Sequence, residues 1–281
     1  MDYAKYVPEK GKRNGIGIMP PFLGLKIFND VDMNSIIPLI DWKMYFCAWD
    51  LRPSQYTETH KNLENDSREL LKEIIDKKLL KAAAIVGFFE VQRMGDSLLV
   101  LNKDFKEIAK LHFLRQQKAN EDGLYLSMAD FFNPREKDFI GLFAATAGLG
   151  AKEAEQEFIK NNDDYSAIML GLLADRLAEA LTEKLHRDIL DGVGIRAAPG
   201  YPASPDHTEK ATIWKLLSPE KNIGISLTEN YVMNPTASEC GYFAANPRSR
   251  YFKLGKIGDD QLADYAIRKG MDVKEISNFL F

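Results

Sequence analysis

The stretch Arg196-Ala197-Ala198-Pro199-Gly200-Tyr201-Pro202 combines a fixed cation, a turn and an aromatic platform. Such a loop suits a ligand bearing a carboxylate, because a guanidinium offers a planar fork for two charge-assisted hydrogen bonds. Gly200 lets the backbone approach a ligand closely, and Pro199 and Pro202 stiffen the loop. The plainer reading is a Gly-Pro surface turn beside a solvated arginine. Asp175 and Glu179 are four residues apart, so on a helix they share one face. They either pair locally with Arg176 or face a cationic ligand such as an ammonium or sulfonium. Asp41, within Ile40-Asp41-Trp42, is an acid among aromatics that either binds a polar ligand or caps a helix over a core cluster. Tyr242 and Phe243, after Gly241, either stack on a purine or belong to the core. Asp206 and Glu209, before Ala211-Thr212-Ile213-Trp214, carry a helix-starting signature, with His207 between them near the helix start.

Other chemistries lack their residues. There is no Gly-x-Gly-x-x-Gly run after a strand, no P-loop and no Gly-x-Ser-x-Gly elbow. The four histidines, His60, His112, His186 and His207, are scattered without a metal pair. Cys47 and Cys240 have no metal spacing and are too few for a disulfide scaffold. No Asp-x-His-x-x-Gly motif for a corrinoid ligand is present. A net charge of −4 and a pI of about 5.7 argue against a nucleic-acid backbone as partner. No apolar run reaches the roughly 18 residues a membrane helix needs, and no signal core opens the chain. Together these features predict a cytoplasmic location without membrane contact.

These side chains must be positioned by regular elements. Leu70, Leu71, Ile74, Ile75 and Leu79 recur at helical spacing and predict a helix over 67–81. Strands are expected over 83–89 and 97–101, joined by a turn at Met94-Gly95-Asp96, and over 138–146. The strongest helix is expected over 164–190, with Ile168, Leu172, Leu173, Leu177, Leu181 and Leu185 as its apolar stripe. A strand is expected over 250–257. A helix over 259–269 is stopped by Gly270, and Asp272 with Glu275 signals a last helix. Paired strands and blocks of helices predict an α+β fold with an antiparallel sheet. The first residues, rich in Pro and Gly, read as an irregular arm over 1–23, leaving 24–281 as one domain.

Taken in order, the blocks form a recognisable series. It runs through Ile40 to Trp49, Val86-Gly87-Phe88-Phe89, Leu114-Arg115-Gln116-Gln117, Ala129-Asp130-Phe131 and Leu173 to Ala180. It continues through Arg196 to Pro202, His207-Thr208-Glu209-Lys210, Gly241-Tyr242-Phe243 and Arg268-Lys269-Gly270-Met271. This order resembles the activation domain of cobalamin-dependent methionine synthase, from about residue 22 onward. The resemblance implies a single C-shaped α+β domain with a bent antiparallel sheet and surrounding helices, binding S-adenosylmethionine in a shallow groove. It implies a module that supplies a methyl group for reductive remethylation of cob(II)alamin in methionine biosynthesis. The cobalamin would sit on partner methionine synthase domains and the electron would come from a flavodoxin-type reductant. Carried over by motif, Arg196 would hold the ligand's carboxylate and Asp41 its adenosyl or amino end. Ala198, Gly200, Tyr201, Tyr242 and Phe243 would line the adenosine, with Asp175 and Glu179 beside the reactive face.

The sequence also departs from that family. Ser204 replaces a Cys, Glu90-Val91-Gln92 replaces Pro-Ala-Asn, and Met44-Tyr45-Phe46 replaces Pro-Phe-Phe. The connection Leu190 to Ile195 is short, which would open the groove or weaken ligand binding. It motivates an alternative: a docking protein of the same fold that covers a corrinoid protein without using S-adenosylmethionine, or a reactivator of another corrinoid methyltransferase. The chain begins with Met1 and carries no folate, homocysteine or cobalamin domain, so it is read either as a domain cut from a larger enzyme or as a free-standing subunit acting in trans, the irregular arm over 1–23 favouring the latter.

Overall fold

A computed structural model describes residues 17–52 and 55–280. Most of the expected N-terminal arm, residues 1–16, therefore lies outside the described residues. Residues 17–23 hold no helix or strand, and the first strand, β1, is Gly24–Val31.

The sheet is organised by β2 (Lys81–Met94), whose residues from Ala82 to Phe88 are all buried. Successive side chains of a strand point to opposite faces. Ala82, Ala84, Val86 and Phe88 accordingly join one apolar cluster, and Ala83, Ile85 and Val91 join another. A strand covered on both faces reads as a continuous apolar run, which is how it announces itself in the sequence. Ten residues of β2 pair with β5 (Asp138–Leu149). Its other edge is shared: β1 pairs with the first part, and β3 (Ser97–Leu101) returns along the last part through the turn at Gly95-Asp96. β4 (Glu107–His112) extends that end. On the far side β5 is followed by β9 (Ser238–Ala244) and β6 (Ile195–Ala197), giving the order β4-β3-β2-β5-β9-β6 with every pair antiparallel. Two short strands, β7 (Ser226–Leu227) and β8 (Met233–Asn234), form a separate ribbon. The expected α+β class and antiparallel sheet are therefore observed.

One face of the sheet is covered by α1 (Trp42–Ala48), α2 (Glu58–Asp76), α3 (Ala151–Lys160) and α4 (Asp164–Leu190). The other carries α5 (Glu209–Leu217) and α6 (Pro219–Ile223). A smaller cluster around Leu114, Leu254 and Tyr265 holds α7 (Asp259–Lys269) and α8 (Val273–Ser277).

α4 has the expected bounds, with Asp163 accepting from the Ser166 amide at its start. Its buried face differs: Leu170, Leu173, Ala174, Leu177, Ala178, Leu181 and Leu185 are inside, whereas Ile168 is 55% exposed. The stripe drawn through Ile168 follows a row that rotates off the sheet. α2 begins at Glu58, earlier than expected, because its first turns bury only His60 and Leu63 and show little apolar period. It stops at Asp76, where Lys78 takes a left-handed conformation and feeds β2. The expected strand over 250–257 is not formed. That segment is held by Leu254 N donating to Pro202 O and by Gln116 Nε2 donating to Lys253 O, and it turns at Gly255, so no ladder develops.

Two buried ionic networks lie beside α7. Arg115, 3% exposed, donates both Nη atoms to Asp130 and also binds Asp96, while Arg93 adds a third guanidinium–carboxylate contact at 2.5 Å from Asp130. Asp206 and Glu209 were expected to start a helix. α5 does begin at Glu209, with Asp206 accepting from the Thr208 amide at 2.8 Å, and both acids are also buried against Lys269 at 3.2 and 2.7 Å, with the Tyr265 hydroxyl donating to Asp206. A local helix-starting signature thus also serves as a long-range clamp between α5 and α7.

Candidate functional site

A cavity of about 490 Å³ lies where α4 crosses β9 and β6, under the 196–203 loop. Its floor follows from strand register. Arg196 lies opposite Phe243 and Phe143 opposite Gly241, so Glu239, Phe243, Arg196 and Phe143 share one face of the sheet. Phe143 and Phe243 stack at 4.7 Å, with His186 on the far side of Phe243 at 5.5 Å. Phe143 reaches the cavity, and Phe243 lies fully buried as its support.

The wall is one face of α4. Residues three and four apart are neighbours on a helix, so Arg176, Glu179, Thr182 and Glu183 form a row. Arg176 Nη1 is 2.6 Å from Glu179 Oε2, and Thr182 Oγ1 donates to Glu239 Oε2 at 2.5 Å. Arg196 Nη1 donates to Glu183 Oε2 at 2.9 Å. Burial raises the Glu183 pKa, yet the hydrogen bonds from Arg187 and Arg196 more than offset it and the net shift is downward. Glu239 shifts the other way, upward, because desolvation outweighs the Thr182 hydrogen bond and the attraction of the more distant Arg196 and Arg176.

The roof is the loop from Ala197 to Ala203 with Tyr201, and the rim adds Tyr251, Phe252 and Lys253. The Tyr251 hydroxyl donates to the Arg196 carbonyl. Burial raises the pKa of both tyrosines, so each stays a neutral phenol at ordinary pH. Gly200 has φ +92°, and a Cβ there would stand 2.3 Å from the His207 ring. Glycine thus lets the loop fold down onto the start of α5. The short connection after α4 closes by similar means. Asp191 takes a left-handed conformation, His186 Nε2 lies 3.0 Å from Val193 O, and Gly194 sits so tightly that a Cβ would be 2.0 Å from Ala244 O.

Of the residues singled out in the sequence, Arg196, Ala198, Tyr201 and Glu179 line this one cavity. Gly200 shapes its loop and Phe243 backs its floor. Tyr242 points to the opposite face of β9, where it is fully buried with its ring edge-on to Phe113. Asp41 caps α1, accepting from the amides of Lys43 and Met44, and does not line the cavity. Asp175 lies one turn before Glu179, also outside the lining, with its pKa raised first by burial and then by Glu179; Arg176 opposes the shift. Glu239, Glu183, Thr182, Phe143 and Tyr251 were not singled out. Glu239 carries one legible signal, an acid alternating with Gly241 and Phe243 in a strand, but its partner Thr182 is 57 residues away. Among the described residues no group of three or more His, Cys, Asp or Glu side chains is arranged to hold a metal, and no helix is long and apolar enough to cross a membrane.

The family model for the vitamin B12-dependent methionine synthase activation domain matches residues 32–270, a span that contains the whole cavity. The chain belongs to this activation-domain family. A crystal structure of the MetH reactivation domain bound to AdoHcy is similar to it at 32% identity. That match covers 99% of this chain and 94% of the other, with a TM-score of 0.90. Family membership associates this domain with a cobalamin-dependent methyltransferase and with cobalamin-binding domains of methionine synthase.

Proposed function

We propose that the cavity binds S-adenosylmethionine and that the domain presents it for reductive remethylation of cob(II)alamin on methionine synthase. The observation that carries this reading is the cavity between α4 and the 196–203 loop, which joins a guanidinium, an aromatic floor and acidic side chains in one place. Its chemistry matches the ligand's parts. Arg196 uses only Nη1, toward Glu183, among the described residues, so its remaining donors suit a carboxylate. Phe143 and the rings of Tyr201 and Tyr251 suit an adenosine. The acids of α4 and β9 suit positive charge. The similar structure with bound AdoHcy, the demethylated form of the same ligand, supports the reading.

When bound, S-adenosylmethionine supplies a methyl group to the reduced cobalt held by the partner and leaves as a neutral thioether. The side chains of this domain bind and orient. No proton has to move in that transfer, which accords with tyrosines kept neutral. The contribution of the domain is then positional, holding the sulfonium where the partner's cobalamin can reach it. Cobalamin belongs to the partner, an electron donor of flavodoxin type completes the system, and the expected setting is cytoplasmic.

The test is calorimetric titration of the chain with S-adenosylmethionine and S-adenosylhomocysteine. One-site saturable binding of both supports the reading. No heat at millimolar ligand overturns it and favours a docking role on the corrinoid protein.

A further inference from the structure

The cavity holds more acid than its internal pairs consume. Glu179 is paired with Arg176 at 2.6 Å, and Glu183 is held by both Arg187 and Arg196 at 2.6 and 2.9 Å. Glu239 stands apart. It lines the cavity, its one hydrogen bond comes from the neutral hydroxyl of Thr182, and no cation lies within ion-pair distance of it among the described residues. It rises from the floor between apolar groups: Phe143, Ala197, Ala198 and Ala203 line the same space.

A desolvated carboxylate without an ion-pair partner in contact is costly, and a ligand that brings the missing charge recovers that cost. The surroundings also select the kind of cation. An ammonium group has three N–H donors to satisfy, and this floor offers few acceptors. A sulfonium has no donor and needs only nearby negative charge in a dry setting. Resting on the function proposed above, we infer that Glu239 is the specificity-determining counter-charge for the sulfonium, distinguishing the charged methyl donor from its neutral thioether product. Glu179, whose charge Arg176 already balances, is left to position the row on α4.

The inference also gives the site a direction. Once the methyl group has left, Glu239 faces a neutral sulfur and loses its partner, so the product is released more readily than the donor.

The experiment compares the two ligands on the same protein. Dissociation constants for S-adenosylmethionine and S-adenosylhomocysteine are measured by calorimetry at pH 8 for the wild type, Glu239→Gln and Glu239→Asp. Gln keeps the size and the acceptor for Thr182 while removing the charge. The wild type is expected to prefer the sulfonium. Glu239→Gln is expected to weaken S-adenosylmethionine about tenfold, as loss of one partly shielded charge contact implies, and to change the product's affinity less than about twofold. Glu239→Asp, with its charge withdrawn by one methylene, should give an intermediate ratio. Equal losses for both ligands, or an unchanged ratio with both still binding, overturn the role of Glu239 and leave the proposed function standing. A wild type that binds neither ligand overturns the proposed function, and this inference with it.

Discussion

Replacing Arg196 by Ala separates binding from folding more cleanly than any other change in the cavity. The side chain is 19% exposed, and it pairs with Glu183, itself 35% exposed. A partly exposed pair of this kind contributes about 0.5–1 kcal/mol to stability. Arg196→Ala should therefore lower the melting temperature by no more than about 2–4 °C. Binding is another matter. A ligand carboxylate gripped by the guanidinium fork is worth about 2–3 kcal/mol, so affinity for S-adenosylmethionine should fall about 30- to 140-fold. S-adenosylhomocysteine carries the same carboxylate and should lose the same factor, which sets this variant apart from Glu239→Gln. Arg196→Lys keeps the charge without the planar fork and should recover only part of the loss. The assay is calorimetry with both ligands beside thermal unfolding of the free protein. Wild-type affinity in a folded Arg196→Ala protein would refute the assignment of Arg196 to the carboxylate.

Other outcomes follow from the same geometry. Gly200→Ala forces a side chain into a φ of +92° and against the His207 ring. It should cost about 1–3 kcal/mol in urea unfolding and weaken ligand binding, and an unchanged midpoint would show that the loop relaxes freely. Lys269→Met removes the cation shared by Asp206 and Glu209, which are 1% and 0% exposed. It should destabilise by about 3–5 kcal/mol, partly restored by a second change, Glu209→Gln; full stability of the single variant would deny the clamp. His112 is held down to about 4 from an ordinary 6.5, first by burial and then by Lys269, Arg268 and Lys110. A depressed pKa means that the unfolded chain takes up this proton first, so stability rises with pH between about 4 and 6.5 and the contribution is fully present above 6.5. In melting curves from pH 4 to 7, His112→Gln should show a shallower acid limb than the wild type; an identical limb would place the acid sensitivity elsewhere.

Much of this protein is determined by local sequence alone. α4 begins and ends where its apolar period and its flanking polar residues place it, because a helix is closed by its own backbone and by groups within a turn of each end. The β2–β3 hairpin around Gly95-Asp96 and the helices after Gly258 and Asp272 follow for the same reason. The Arg196 to Pro202 loop was visible as a unit, since its glycine, prolines and arginine are adjacent in the chain. What the sequence could not decide is what faces what. Asp206 and Glu209 carry a helix-starting pattern, and Asp206 does accept from the Thr208 amide, but only the fold brings Lys269, far along the chain, to both, because a buried carboxylate needs a cation as well as a backbone amide. The extended-looking run from Arg250 to Ile257 forms no strand, since a ladder requires a partner edge and none is presented to it. Tyr242 and Phe243 are neighbours in sequence and lie on opposite faces of β9, so only one of them supports the cavity. Glu239 is the plainest case. Its chemistry depends on Thr182 being its donor while the arginines are occupied by other acids, and that allocation exists only once α4 has been laid across the sheet.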